Sequence, residues 1–143
     1  MRRALLFVLL LLAAPAIAAA QEWNPPSAQM PMMPSVSEIR GNWMGARADW
    51  FRGLEAVAGV GAASLRASGD PGRGDRVQIA RFSSGPLPVV IWSDRNGDER
   101  AAVIEIYRSG GVVVQVIDAD YDGRANVIRR YDESGTLLSQ ERL

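Results

Sequence analysis

The stretch that decides the fold runs from residue 94 to residue 131 and reads DRNGDERAAVIEIYRSGGVVVQVIDADYDGRANVIRRY. Shifted by 24 residues, the stretch matches itself. Asp94 falls on Asp118, and Tyr107 falls on Tyr131. Each unit contains a polar loop, a β-branched run, a short turn and a second β-branched run, which is the pattern of a repeated hairpin. The sequence therefore predicts tandem 24-residue hairpin repeats.

The hairpin pattern extends on both sides of this stretch. A third, decayed copy begins at Asp70, where the loop at 70–75 has lost the acidic spacing. Short connections close antiparallel hairpins, so the simplest topology is a meander in which the loops at 70–75, 94–100 and 118–124 line one edge. The fold class is mainly β, or α+β when an N-terminal helix is included. The predicted strands are 76–82, 87–92, 101–107, 111–117, 125–131 and 136–141.

The loop that begins at residue 118 has the spacing D-x-D-x-D-G-x-x-N. Calcium takes about six to eight oxygen ligands, and side chains at positions 1, 3 and 5 of a tight loop converge on one point. A carbonyl at position 7 and a side chain or water at position 9 add to the shell, while glycine at position 6 permits the turn. The predicted calcium ligands are Asp118, Asp120, Asp122, the carbonyl of Arg124, and Asn126.

The loop at 94–100 supplies a partial set of the same oxygens. Glu99 stands where glycine is expected, and Ala102 offers no ligand at position 9. This loop is therefore predicted to be the weaker site. An alternative for both loops is that Asp, Asn and Gly cluster there because they form good turns. The predicted partial set is Asp94, Asn96, Asp98 and the carbonyl of Arg100.

Residues 94–143 resemble bacterial secreted repeat proteins with EF-hand-like D-x-[DN]-x-D-G calcium loops that lead into β-hairpins. The resemblance implies the ligand roles given above. It departs at position 12, where a true EF-hand has a bidentate glutamate. The second loop has Arg129 there, and the first has Glu105, which would lie along a strand. We therefore expect weak binding of a structural calcium ion, around 10⁻⁴ to 10⁻³ M.

Residues 1–20 are predicted to be a cleavable secretory signal peptide. Arg2 and Arg3 form its positive start, residues 4–14 are apolar, and the alanines at 18–20 supply a cleavage site. The apolar run is shorter than the roughly 20 residues that a membrane-spanning helix needs. The protein is therefore predicted to be exported to the periplasm or the extracellular space, with no stable membrane span after cleavage.

The next stretch, residues 21–35, is rich in proline and methionine and is predicted to be a poorly packed tether. Its three methionines Met30, Met32 and Met33 leave open a thioether site for copper(I). No histidine or cysteine is present to complete such a site, so incidental methionines are the favoured interpretation.

Residues 36–66 are predicted to form an amphipathic helix and a connector. Ser35 and Glu38 match a capping box, and apolar residues recur every three or four positions as far as Val57, which predicts the helix itself over about 36–58. Trp43 and Trp50 lie on this face. They either pack against the hairpin domain at 67–143 or form a docking face for another protein or a membrane.

The composition excludes several function classes. Without Arg2 and Arg3 the chain keeps 14 basic against 16 acidic residues, which argues against a general affinity for nucleic acid or anionic lipid. There is no histidine and no cysteine, which removes Ser-His-Asp and Cys-His catalysis and the usual zinc sites. A small carboxylate- or metal-dependent hydrolase is left as an alternative, although no phosphate-binding loop is present.

These observations together predict an exported, non-catalytic binding or structural protein with weak calcium-binding loops. The main alternative is a periplasmic protein-interaction module that docks through the aromatic helix at 39–57. The first hypothesis predicts calcium-dependent stability, whereas the second predicts loss of a partner in pull-downs after Trp43→Ala and Trp50→Ala.

Overall fold

A computed structural model describes residues 23–41 and 47–143 of the chain. The predicted signal peptide lies outside the described residues. Among the described residues, none of the helices has the length and apolar character needed to cross a membrane. The elements are α1 (Val36–Arg40), α2 (Leu54–Ala58), 3-10 turns at Ala48–Phe51 and Ala62–Ser64, and seven strands, β1 (Arg66–Pro71), β2 (Val77–Ser84), β3 (Leu87–Ser93), β4 (Val103–Arg108), β5 (Gly111–Ile117), β6 (Val127–Tyr131) and β7 (Leu137–Arg142).

The seven strands form one antiparallel sheet in chain order, which confirms the predicted mainly-β meander. All six predicted strands are present, with ends that differ by at most two residues. Strand β1 was not predicted, because Gly69, Asp70 and Pro71 give it the composition of a loop. It is the edge strand beside β2, where a proline and a register shift between Asp70 and Pro71 are tolerated.

The sheet buries one face against the N-terminal third of the described chain. Side chains alternate between the faces, so one row across five strands is buried. Phe51, from the 3-10 turn, stacks on Trp92 with ring centroids 5.6 Å apart and meets Phe82 edge-on at 4.9 Å. This core fixes the sheet and, with it, the positions of the loops. The buried row is Ala80, Trp92, Ile104, Val116 and Ile128.

The helix predicted for residues 36–58 is wrong as a continuous element. The capping box at its start is confirmed, since the Glu38 amide donates to Ser35 Oγ and the Ser35 amide donates to Glu38 Oε2. Helix α1, however, ends after one turn at Gly41. Helix α2 lies between Gly53 and Gly59, both left-handed with φ of 76° and 75°. Glycines that favour non-helical backbone thus outweigh the apolar periodicity.

The predicted aromatic face is only partly described, because Trp43 lies outside the described residues. Trp50 packs against the core, with its ring 6.4 Å from Trp23 and 6.2 Å from Trp92. Phe51 is 4% exposed. The described aromatic side chains of this region are therefore used in packing.

The tether predicted for residues 21–35 is wrong from Trp23 onward. Met30 and Met33 have no exposed surface, and Trp23 is 4% exposed. We call residues 28–36 the crossing segment, because this extended chain passes over all three loops at one edge of the sheet. Burial in the core explains two of the three methionines without a copper site.

The crossing segment makes equivalent hydrogen bonds every third residue along itself and every 24 residues along the sheet. The bonds are Met30 N to Gly123 O, Met33 N to Glu99 O, Val36 N to Asp75 O, Ala125 N to Ala28 O, Ala101 N to Pro31 O, and Val77 N to Pro34 O, all 2.8–3.0 Å long. Pro31 and Pro34 occupy positions at which the segment only accepts hydrogen bonds, so the N–H group that proline lacks is not needed there. Duplication as the origin of the 24-residue spacing stays a prediction.

The hairpin turns lie at the opposite ends of the strands, along the other edge of the sheet from the three loops, and they are less uniform in length. Four residues separate the paired Tyr107 and Val112, whereas five separate the paired Tyr131 and Leu137. No described segment crosses these turns. The two edges of the sheet are therefore built differently, and the regular edge carries the candidate site.

Candidate metal centre

The aspartates that open the second and third loops are anchored in the sheet. Asp94 follows β3, and its amide donates to Gln78 O at 2.8 Å; Asp118 follows β5, and its amide donates to Ala102 O at 2.8 Å. Both carboxyl groups consequently point under their own loops. They are the two buried charged residues of the described chain, with 6% exposure for Asp94 and 3% for Asp118.

The loop at 118–124 brings three carboxylates together. One oxygen each from Asp118, Asp120 and Asp122 lies within 4.8 Å of the others. The backbone curls because Tyr121 and Gly123 adopt left-handed conformations, with φ of 60° and 85°. The structure therefore groups the three aspartates that the sequence predicted as ligands. Among the described residues this is the one cluster of three or more acidic or thiol side chains close enough to share an ion.

One oxygen of Asp118 has no hydrogen-bond donor. Its Oδ2 accepts from the Gly123 amide at 2.8 Å, whereas its Oδ1 is buried and unpaired. An unpaired carboxylate oxygen removed from water is costly, and native proteins leave few of them. A bound cation would satisfy this oxygen. The donors are hard oxygens, so they fit calcium or magnesium rather than a thiophilic metal.

Protonation is the competing way to satisfy the buried carboxyl. Burial raises the pKa of Asp118, and the neighbouring Asp120 raises it further, while the amide of Gly123 opposes the rise. For Asp120, slight desolvation acts to raise the pKa, but the Asp122 amide and the Asp118 carboxyl outweigh it and lower the pKa. With its raised pKa, the Asp118 carboxyl holds a proton at low pH. A cation would have to displace that proton.

The remaining residues predicted for this loop have different roles. The Arg124 amide donates to Asp122 Oδ1 at 2.8 Å. The Arg124 carbonyl accepts none of the backbone hydrogen bonds between this loop and the crossing segment. Asn126 Oδ1 accepts from the amides of Ala119, at 2.6 Å, and Asp120, at 3.4 Å. The oxygen of Asn126 is therefore engaged at the start of the loop, and its role as a ligand stays a prediction.

The loop at 94–100 is closed by hydrogen bonds alone. Asp94 Oδ1 accepts from the Gly97 amide at 2.8 Å, and Asp94 Oδ2 accepts from the Glu99 amide at 2.9 Å. Asp98 Oδ1 accepts from the Arg100 amide at 2.9 Å, and Asn96 is exposed. Both oxygens of the buried aspartate are therefore taken. For this loop the geometry favours the turn alternative over the predicted partial calcium set.

Arginine side chains flank the first two loops. In the loop at 70–75, Asp70 is used in a bidentate ion pair with Arg81, at 3.0 and 2.9 Å, whose hydrogen bonds lower the pKa of Asp70. A cavity of about 190 Å³ lies between these loops, and its charged lining residues are Arg73, Arg76, Arg95, Asp94 and Glu99. The two acids are outnumbered by three arginines, which disfavours a cation. The acidic cluster and this cavity thus occupy different parts of the same edge.

No direct signal in the sequence indicated the crossing segment, which lies against all three loops at this edge. A weak signal was present, since apolar side chains recur at Met30, Met33 and Val36. A period of three is typical of extended, polyproline-type chain.

No known protein-family model matches this chain, and no curated protein or solved structure matches it at a significant level.

Proposed function

We propose that this protein is an exported, non-catalytic binding or structural protein whose loop at 118–124 binds calcium. The observation that carries the proposal is the buried, unpaired Oδ1 of Asp118 beside two further carboxylates. Export rests on the sequence of residues 1–20 and makes millimolar calcium a plausible ligand. The ion's role is structural: it would hold the loop edge together.

The binding should be weak. Asp120 and Asp122 are exposed, so part of the coordination shell must come from water and backbone oxygens. Position 12 is occupied by Arg129, which lies in β6 and donates through Nε to Gln140 Oε1 at 2.9 Å. No carboxylate closes the loop from that side. A dissociation constant of about 10⁻⁴ to 10⁻³ M is expected for such a site.

The test is thermal unfolding of residues 21–143 in 10 mM calcium and in chelator. With the expected affinity, calcium stabilises the folded state by about 1.4 to 2.7 kcal/mol. The double variant Asp118→Ala/Asp122→Ala should lose this gain. Asp98→Ala is the matched control, because Asp98 occupies the equivalent position in the other loop, and it should keep the gain.

Other outcomes have definite meanings. Equal unfolding midpoints with and without calcium in the unaltered protein would refute the proposal and leave the loop as a turn. An equal gain in 10 mM magnesium would show a divalent site without calcium preference. If the calcium-induced stabilisation is lost in Asp98→Ala and kept in Asp118→Ala/Asp122→Ala, the site lies in the loop at 94–100 and the proposal is wrong about its place.

A further inference from the structure

We propose that a cation in the loop at 118–124 fixes the crossing segment to the sheet, so that ion binding and docking of this segment strengthen each other. The inference rests on the proposed function and adds its consequence. The loop and the segment would form one coupled unit, in which residues before α1 respond to an ion bound after β5.

The contact between the two elements is direct. The Met30 amide donates to the carbonyl of Gly123, and the Ala125 amide donates to the carbonyl of Ala28, both at 2.8 Å. These two bonds flank Arg124, whose amide binds the Asp122 carboxylate. The backbone that holds the crossing segment is therefore the same backbone that places the third carboxylate.

Without an ion, the buried carboxylate beneath this backbone has only one of its two oxygens paired. The Gly123 amide is fixed by one bond to Asp118 Oδ2, while Asp118 Oδ1 stays buried and unpaired. Opening the loop would return that oxygen to water, which favours the open state. A bound cation pairs this oxygen in the closed loop, so that opening the loop no longer gains free energy from rehydrating it. It also ties Asp118 to Asp122 and thereby restrains Gly123, which lies between them and the crossing segment.

A side chain from the neighbouring loop joins the same contact. Arg100 donates through a guanidinium nitrogen to the carbonyl of Met30 at 2.9 Å. The stem of Arg100 passes Gly123 so closely that a β-carbon there would lie 3.4 Å from its Cδ. The crossing segment, the ion loop and the adjacent loop therefore meet at Met30. Because Met30 is fully buried, its release would be a large and measurable event.

The opposite end of the crossing segment is held by other means. The Val36 amide donates to Asp75 O, and the Val77 amide donates to Pro34 O. Arg47 reinforces that end with bonds to the carbonyls of Met32 and Met33, at 2.7 and 3.3 Å, and an ion pair with Glu38. None of these contacts involves the acidic loop. The effect of an ion should therefore fall off along the segment.

Amide hydrogen exchange of residues 21–143, with and without saturating calcium, tests this gradient. We expect exchange at Met30 and Ala125 to slow at least about fivefold, the lower end of typical coupling between sites. Exchange at Val36 and Val77 by local opening should change less than about twofold. Equal slowing at all four amides would indicate only global stabilisation and would overturn the coupling.

Reciprocity supplies a second test, because two coupled ligands change each other's affinity by the same factor. Met30→Ala loosens the segment beside the ion loop and should weaken calcium binding, measured by titration calorimetry, at least about fivefold. Met33→Ala is the matched control, since Met33 is equally buried but lies against the loop at 94–100. It should weaken binding less than about twofold.

The two proposals fail in different ways. If calorimetry detects calcium binding that neither variant alters, and the amide of Met30 exchanges at the same rate, the coupling is refuted and the calcium site stands. If the unaltered protein binds no calcium, both proposals fall. Circular dichroism checks that each variant is folded. If a variant is not folded, the exchange experiment on the unaltered protein decides whether the ion and the crossing segment are coupled.

Discussion

The loops after β3 and β5 share two left-handed backbone positions and differ in the use of one oxygen. Both place two residues in left-handed conformations at equivalent positions, Gly97 and Glu99 in one and Tyr121 and Gly123 in the other. In the first loop two amides saturate the buried aspartate, whereas in the second only one amide reaches it. Under the proposed function, acidic spacing alone does not decide which loop accepts an ion. The number of backbone amides that hydrogen-bond to the buried carboxylate decides it.

The largest contrast is expected from an isosteric change of each buried aspartate, measured by urea unfolding in chelator. Asp94→Asn replaces one acceptor with a donor that faces a loop amide, which should cost about 1.5 to 3 kcal/mol. Asp118→Asn keeps the bond from Gly123 and removes a buried charge, so its cost should stay below about 1 kcal/mol. A larger loss in Asp118→Asn would show that the unpaired oxygen is satisfied in solution.

The glycine position offers a second contrast. Gly123→Ala places a β-carbon at φ 85° and 3.4 Å from Arg100 Cδ, which should destabilise by about 1 kcal/mol or more. Glu99→Gly makes the first loop resemble the second and relieves a left-handed glutamate, so its effect should lie within about 1 kcal/mol of zero. It should not create a calcium response, because both oxygens of Asp94 stay occupied. A new calcium response would refute the distinction drawn between the loops.

Asn126 separates the predicted ligand role from the observed structural one. Asn126→Ala removes an acceptor from two loop amides and should cost about 0.5 to 1.5 kcal/mol in chelator and in calcium alike. The calcium-induced rise of the unfolding midpoint should survive. Its complete loss would restore Asn126 as a ligand, as the sequence predicted.

The smallest expected effect is on pH dependence. Because the pKa of Asp118 is raised on folding, its proton is bound more tightly in the folded state than in the unfolded state. In chelator this contribution to stability is present at low pH and is lost as pH rises from the ordinary carboxyl pKa through the raised one. Calcium-induced stabilisation should grow over the same interval. Midpoints recorded across it should show neither trend in Asp118→Asn.

Much of the sheet could be predicted because alternation and short turns encode it locally. The six predicted strands are present, and those predicted from 101 and 125 start two residues later because Ala101 and Ala125 donate to the crossing segment instead. Strand β1 could not be predicted, since its pairing with β2 outweighs the composition of Gly69 and Pro71. Long-range contacts, rather than local propensity, decide these cases.

The N-terminal region was predicted poorly for a related reason. Proline content indicated an unpacked chain, yet an extended chain with an apolar side chain every third residue suits a surface that repeats along one edge. The apolar periodicity after Ser35 indicated a helix that Gly41 and Gly53 divide. At the site, the spacing of Asp118, Asp120 and Asp122 predicted the cluster. It could not reveal which backbone amides turn toward the buried oxygen.

The uneven edges of the sheet determine where the chain can change length. One residue inserted between Ala28 and Val36 would throw every later contact of the crossing segment out of step with its loop, because each loop receives three residues. The edge that carries the hairpin turns has no such fixed spacing, since the turn at 132–136 already has one residue more than the turn at 108–111. Insertions, and with them grafted peptides or fluorescent labels, belong at the hairpin edge.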